Sequence, residues 1–132
     1  MSRWSYWYPL LTAIAALLLG CMIYLFARPS SIIFSGVDVS VPLGDHMPSV
    51  LHTFGFALLS SLVITRRFNA IVIILAWGAV EVLAELAQYN GFPIPQILDN
   101  YQQASTFDLL DLAAILSAVC LAILLTRMTR YR

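Results

Sequence analysis

Residues 70–89 read AIVIILAWGAVEVLAELAQY. From Ala70 to Val80 the run is wholly apolar, and with its second half it reaches the roughly 20 residues that a helix needs to cross a bilayer. The polar residues of that second half, Glu81, Glu85 and Gln88, stand at i, i+4 and i+7, which puts them on one face of a helix. An apolar helix with a single polar stripe is a membrane span whose stripe faces a bundle interior or a wet cavity. At about 1.5 Å of rise per residue, Glu81 lies about 12 Å below the end of the span at Tyr89.

The whole chain fits that reading. Its 132 residues are 61% hydrophobic and only 11% charged, against about 25% charged for ordinary globular domains. A soluble globule, a disordered chain and a basic nucleic-acid surface are all excluded by this composition, the last because the seven basic residues are arginines in short clusters. One all-α domain over 1–132 is expected, a four-helix transmembrane bundle with helices at about 8–27, 48–65, 70–89 and 107–128. Trp4, Tyr6, Trp7 and Tyr8 read as an interfacial anchor before the first helix. Pro48 suits the first turn of the second. Only Phe68 and Asn69 then separate Arg66-Arg67 from the third, so helices two and three form a tight antiparallel hairpin.

Short arginine-rich loops stay cytoplasmic. Four spans with both termini inside put Arg3, Arg66, Arg67, Arg127, Arg130 and Arg132 on that side and leave only Arg28 outside. The acidic residues sort the other way, with Asp38, Asp45 and Asp99 in outer loops and Glu81, Glu85, Asp108 and Asp111 in the outer halves of helices three and four. Both outer loops exceed the usual 2 to 8 residues of a helix connection. Residues 28–47 carry the alternating Val37-Asp38-Val39-Ser40-Val41, a small hairpin or an interfacial flap. Residues 89–105 carry Gly91, Pro93 and Pro95 before an amphipathic stretch at Ile97 and Leu98, and both loops read most simply as interface segments.

Six side chains define a candidate ligand-binding cluster at the outer level: His52, Glu81, Glu85, Gln88, Asp108 and Asp111. Asp108 and Asp111 share a face at i, i+3 and complement the positive end of the fourth helix, for which Ser105 or Thr106 is the expected cap. His52 enters one turn into helix two, where a lone histidine is more often an interfacial or satisfied core residue than a ligand or base. Carboxyls gathered in low dielectric share protons, hold a divalent cation, or receive a cationic or hydroxyl-rich head group. The spacing matches no metal motif, so no metal and no cofactor are expected. No Gly-rich phosphate loop, nucleophile elbow or Cys-x-x-Cys occurs, and the reading leans away from an enzyme.

Weaker signals complete the inventory. Leu18-Leu19-Gly20-Cys21 has the form of a lipoprotein cleavage box, but Met22-Ile23-Tyr24-Leu25-Phe26 prolongs the run to spanning length. Cys21 and Cys120 read as packing residues at depths too different for a disulfide. Ala114, Ala118 and Ala122, and Ala16 with Gly20, have the spacing of small residues that lets helices approach closely.

From Asp45 to Leu125 the chain resembles the VanZ-like family of small bacterial multi-pass membrane proteins. The resemblance is carried by His52-Thr53-Phe54 opening a helix, by Glu85-Leu86-Ala87-Gln88, and by Asp111 within Thr106-Phe107-Asp108-Leu109-Leu110-Asp111-Leu112. The chain departs from the family's pattern at Pro48, where an acidic residue is common, at Gln102-Gln103 in place of an arginine, and at Ile115 in place of an asparagine. The missing arginine weakens any role with an anionic substrate. The resemblance implies a multi-pass protein of the bacterial inner membrane acting in the cell envelope, since the founding member is associated with resistance to the glycopeptide teicoplanin. The expected partners are membrane lipids, with an envelope lipid or glycolipid head group in the outer pocket. The alternative is a non-catalytic accessory subunit whose polar stripe meets a membrane protein partner or a second copy.

Overall fold

A computed structural model describes residues 3–26, 46–64, 67–89 and 107–130, without the side chains of 3–6, 67–68 and 130. The described residues form four helices, α1 (Arg3–Phe26), α2 (Met47–Val63), α3 (Arg67–Ala87) and α4 (Leu109–Arg130), packed as an all-α bundle. The interface segments expected at 28–47 and 89–105, apart from His46, Met47 and Tyr89, and the caps expected at Ser105 and Thr106, lie outside the described residues.

Helix α2 is the centre: it packs against α1, α3 and α4, while α4 also touches α3 and, more lightly, α1. That position explains its composition. Thr53, Gly55, Ala57, Leu58 and Ser61 are all buried, and most are small enough to admit a neighbouring backbone. Helix α1 packs through one stripe, Pro9, Ala13, Ala16 and Gly20, spaced like one face of a helix.

Glycines mark the closest approaches. A Cβ on Gly55 would stand 2.6 Å from Cγ of Leu17 and 3.2 Å from the Ala13 carbonyl oxygen, and one on Gly78 would stand 2.5 Å from Cγ2 of Val119. These contacts bring α1 onto α2 and α3 onto α4.

The packing is inside-out relative to a soluble bundle. Buried hydrophobic positions are held mostly by Ala13, Ala16, Ala57, Ala70, Ala118 and Ala122, with Leu58, Ile74, Ile115 and Val119 as the larger exceptions. Leu11, Leu18, Met22, Leu75, Leu83, Leu116, Leu121 and Leu124 are exposed. A solvent that is itself apolar removes the drive to bury large side chains and leaves close contact between small ones to hold helices together. Three helices, Trp7–Phe26, Asn69–Ala87 and Leu109–Thr129, are long and apolar enough to cross a membrane, and Met47–Val63 is apolar but shorter. Together they suggest a multi-pass membrane protein.

The helix bounds differ from expectation in informative places. Helix α1 begins at Arg3, so the aromatic lead-in is itself helical. Helix α3 begins at Arg67 and absorbs Phe68 and Asn69, which were expected to form the connection. Extending the helix satisfies backbone groups that a loop would leave open near the apolar layer. Ile64 is extended and its N–H bonds the Ser61 carbonyl. Cys21 and Cys120 are exposed rather than packed in the core.

Replacing Gly55 by alanine is expected to destabilise the bundle by about 1–3 kcal/mol through overpacking, whereas Leu18→Ala on the exposed face of α1 leaves it within about 0.5 kcal/mol. Denaturant unfolding in mixed micelles measures both. Equal losses would contradict the packing described.

Candidate functional site

Helices α2 and α4 both begin at one end of the bundle, where α3 finishes. The positive ends of two helix dipoles therefore meet there, a physical reason for carboxylates to collect at that end without a basic partner.

Asp108 is the N-cap of α4. Its Oδ1 accepts the Leu110 N–H at 2.8 Å, and its carbonyl accepts the Leu112 N–H at 3.3 Å. In a capping box, the side chain three residues into the helix would return to the N–H of the cap. Asp111 occupies that position, but its Oδ1 lies 3.1 Å from His46 Nδ1. The Asp108 N–H donates instead to Glu85 Oε1 at 2.9 Å, so α3 supplies across the bundle what the local box lacks. Glu85 Oε2 accepts from Gln88 Nε2 at 3.0 Å.

His46 immediately precedes α2 and makes no capping bond with its own side chain. Besides Asp111, its ring approaches Asp108, with Nε2 3.8 Å from Oδ2. With the proton on Nδ1, His46 donates to Asp111. The cluster is graded in depth, from Glu85, only 7% exposed, to Asp108, whose side chain is 43% exposed. The rings of Tyr89 and Phe107 meet edge to face at 5.7 Å and tie the end of α3 to the approach of α4.

Of the six side chains singled out by sequence, four converge here: Glu85, Gln88, Asp108 and Asp111. Asp108 takes the capping role expected of Ser105 or Thr106. His52 lies elsewhere, against α1: a Cβ on Gly20 would stand 3.0 Å from its Cδ2 and Nε2. Glu81, one turn deeper than Glu85 on α3, is half-buried and has no hydrogen-bond or ion-pair partner among the described residues. The histidine at the cluster is His46, missed because it stands outside the apolar run that marked helix two. Its signal was position: it directly precedes Met47-Pro48, the helix-opening pair.

The chemistry of the assembled site is acceptor-rich. Three carboxylates offer more lone pairs than their few internal donors fill, and no lysine or arginine side chain joins them among the described residues. Among those residues, no group of three or more His, Cys, Asp or Glu side chains is arranged to hold a metal ion.

Comparison with protein-family models, with curated proteins and with solved structures finds no match to this chain. No family is thereby identified, and the likeness to VanZ-like proteins rests on the quoted residues alone. Fold and composition define a small helical protein with three apolar helices that could span a membrane.

His46→Ala and Asp111→Ala should each destabilise the bundle. Their double-mutant cycle should return a coupling of about 0.5–1 kcal/mol, the size of a partly exposed pair. Additive losses would show that the two side chains do not interact.

Proposed function

We propose that this chain is a VanZ-like protein of the bacterial inner membrane, with four passes and both termini cytoplasmic. Its outward end engages the polar head group of an envelope lipid or glycolipid. The observation that carries this reading is the convergence of Glu85, Gln88, Asp108, Asp111 and His46 from three helices onto one end of an apolar bundle. The arginine-poor outer side, with six of seven arginines toward the other face, supports the orientation. Helix α2 serves as the fourth pass despite its length, because α1, α3 and α4 surround much of it and protein replaces lipid along those faces.

The donor and acceptor balance narrows the ligand. Surplus carboxylate acceptors favour a head group rich in hydroxyls or bearing an ammonium, and disfavour a bare phosphate. Asp108, the most open member, is the point of entry, and Glu85 is the buried floor. The site binds; no residue in it has the paired nucleophile and base that covalent chemistry would need.

Native mass spectrometry from gentle detergent should show a sugar- or amine-bearing lipid bound one to one, lost in a Glu85→Ala, Asp111→Ala double variant that remains folded. A folded wild-type chain without such a lipid, or a lipid retained by the variant, would remove the ligand site.

A further inference from the structure

A second surface lies apart from the mouth, on the flank of α2 between α1 and α3. Helices α1 and α3 each pack on α2 and α4, so no other described helix covers the fourth side of α2. Phe56 is 42% exposed there and Val63, two turns on, is 81% exposed. An aromatic row crosses this flank. His52 abuts Gly20 of α1, its ring lies 6.4 Å from that of Phe56, and Phe56 stacks on Trp77 of α3 at 5.4 Å. The indole Nε1 donates to Ser60 Oγ at 2.7 Å, which fixes Trp77 against α2.

Glu81 follows Trp77 by one helical turn on the same side of α3. It contrasts with Glu85, the next acid along the stripe, whose two oxygens both accept hydrogen bonds. Glu81 is half-buried, lies about 9 Å below the end of α3 at Ala87, and has no partner among the described residues. An acid at that depth in a span is normally paired. Arg127 stands in the last turn of α4, about 27 Å from the start of that helix. Arg127 of a second copy in the same orientation would therefore miss Glu81 by about 18 Å. A lipid ammonium sits at the membrane surface, above the acid's level.

We propose that the row His52–Phe56–Trp77, with Glu81 at its edge, is the docking surface for a transmembrane helix of another protein carrying an arginine or lysine at the depth of Glu81. The aromatic row supplies contact area and a π face for the cation, and Glu81 supplies the charge that selects it. This surface rests on the membrane reading and is independent of a ligand at the mouth.

The test uses the full chain in phosphatidylcholine vesicles, labelled at Cys120 after Cys21→Ser. Energy transfer is measured to a Leu-Ala peptide of about 24 residues bearing one arginine at the matching depth, or leucine in its place. The arginine peptide should bind at least about tenfold more tightly, and Glu81→Gln should abolish the preference while circular dichroism and flotation stay unchanged. Phe56→Ala should weaken binding of the arginine peptide, and Leu116→Ala on α4 should not. Equal binding of the two peptides, a preference that survives Glu81→Gln, or self-association stronger than peptide binding would overturn the docking surface. A chain that fails to insert at all would overturn the membrane reading with it.

Discussion

A carboxylate that is almost fully buried must find donors inside the protein, and Glu85 finds one in Gln88 and the other at the start of α4. The Asp108 N–H is among the donors that a helix leaves unsatisfied at its N-terminus. Its bond to Glu85 joins the end of α3 to the beginning of α4 at the point where the α4 backbone needs an acceptor. Asp111 is thereby released from the local capping role and is available to His46, which precedes α2. One exchange of capping partners thus connects three helices, and the positive ends of α2 and α4 stabilise the negative charge gathered between them.

Below that end, the bundle is held by shape. Gly55 against Leu17 and Gly78 against Val119 bring neighbouring helices into contact, and alanines make up most of the buried hydrophobic core. Packing of this kind leaves leucines to face outward. Among the described helices, the same arrangement covers α2 on three sides and leaves the fourth open, where Phe56 stacks on Trp77. A polar cluster at one end of the bundle is thus distinct from the aromatic flank beside the central helix.

Much of the fold was legible because its signals are local. Apolar runs of spanning length marked the helices, and the small residues Ala16, Gly20, Ala118 and Ala122 were visible as close-approach positions that the structure buries. The stripe of Glu81, Glu85 and Gln88 was equally plain, as was the pair Asp108 and Asp111. Spacing on one helix, however, does not determine its rotation against the next. His52 and His46 both stand near the start of α2, but their six-residue offset points them to different neighbours, one to Gly20 and the other to Asp111. Nor does spacing reveal that Asp108 would cap α4 while a residue of α3 bonds its N–H, since that depends on tertiary contact. The division between a satisfied Glu85 and an unpartnered Glu81 has the same origin.

Glu85 completes the cap of α4 by accepting the Asp108 N–H. Amide hydrogen exchange of Asp108, followed by NMR in bicelles, tests it directly. An Asp108 amide protected in the native chain, and exposed in Glu85→Ala while the interior amides of α3 and α4 keep their protection, is the predicted result. A native Asp108 amide exchanging at the rate of an unstructured chain would contradict it.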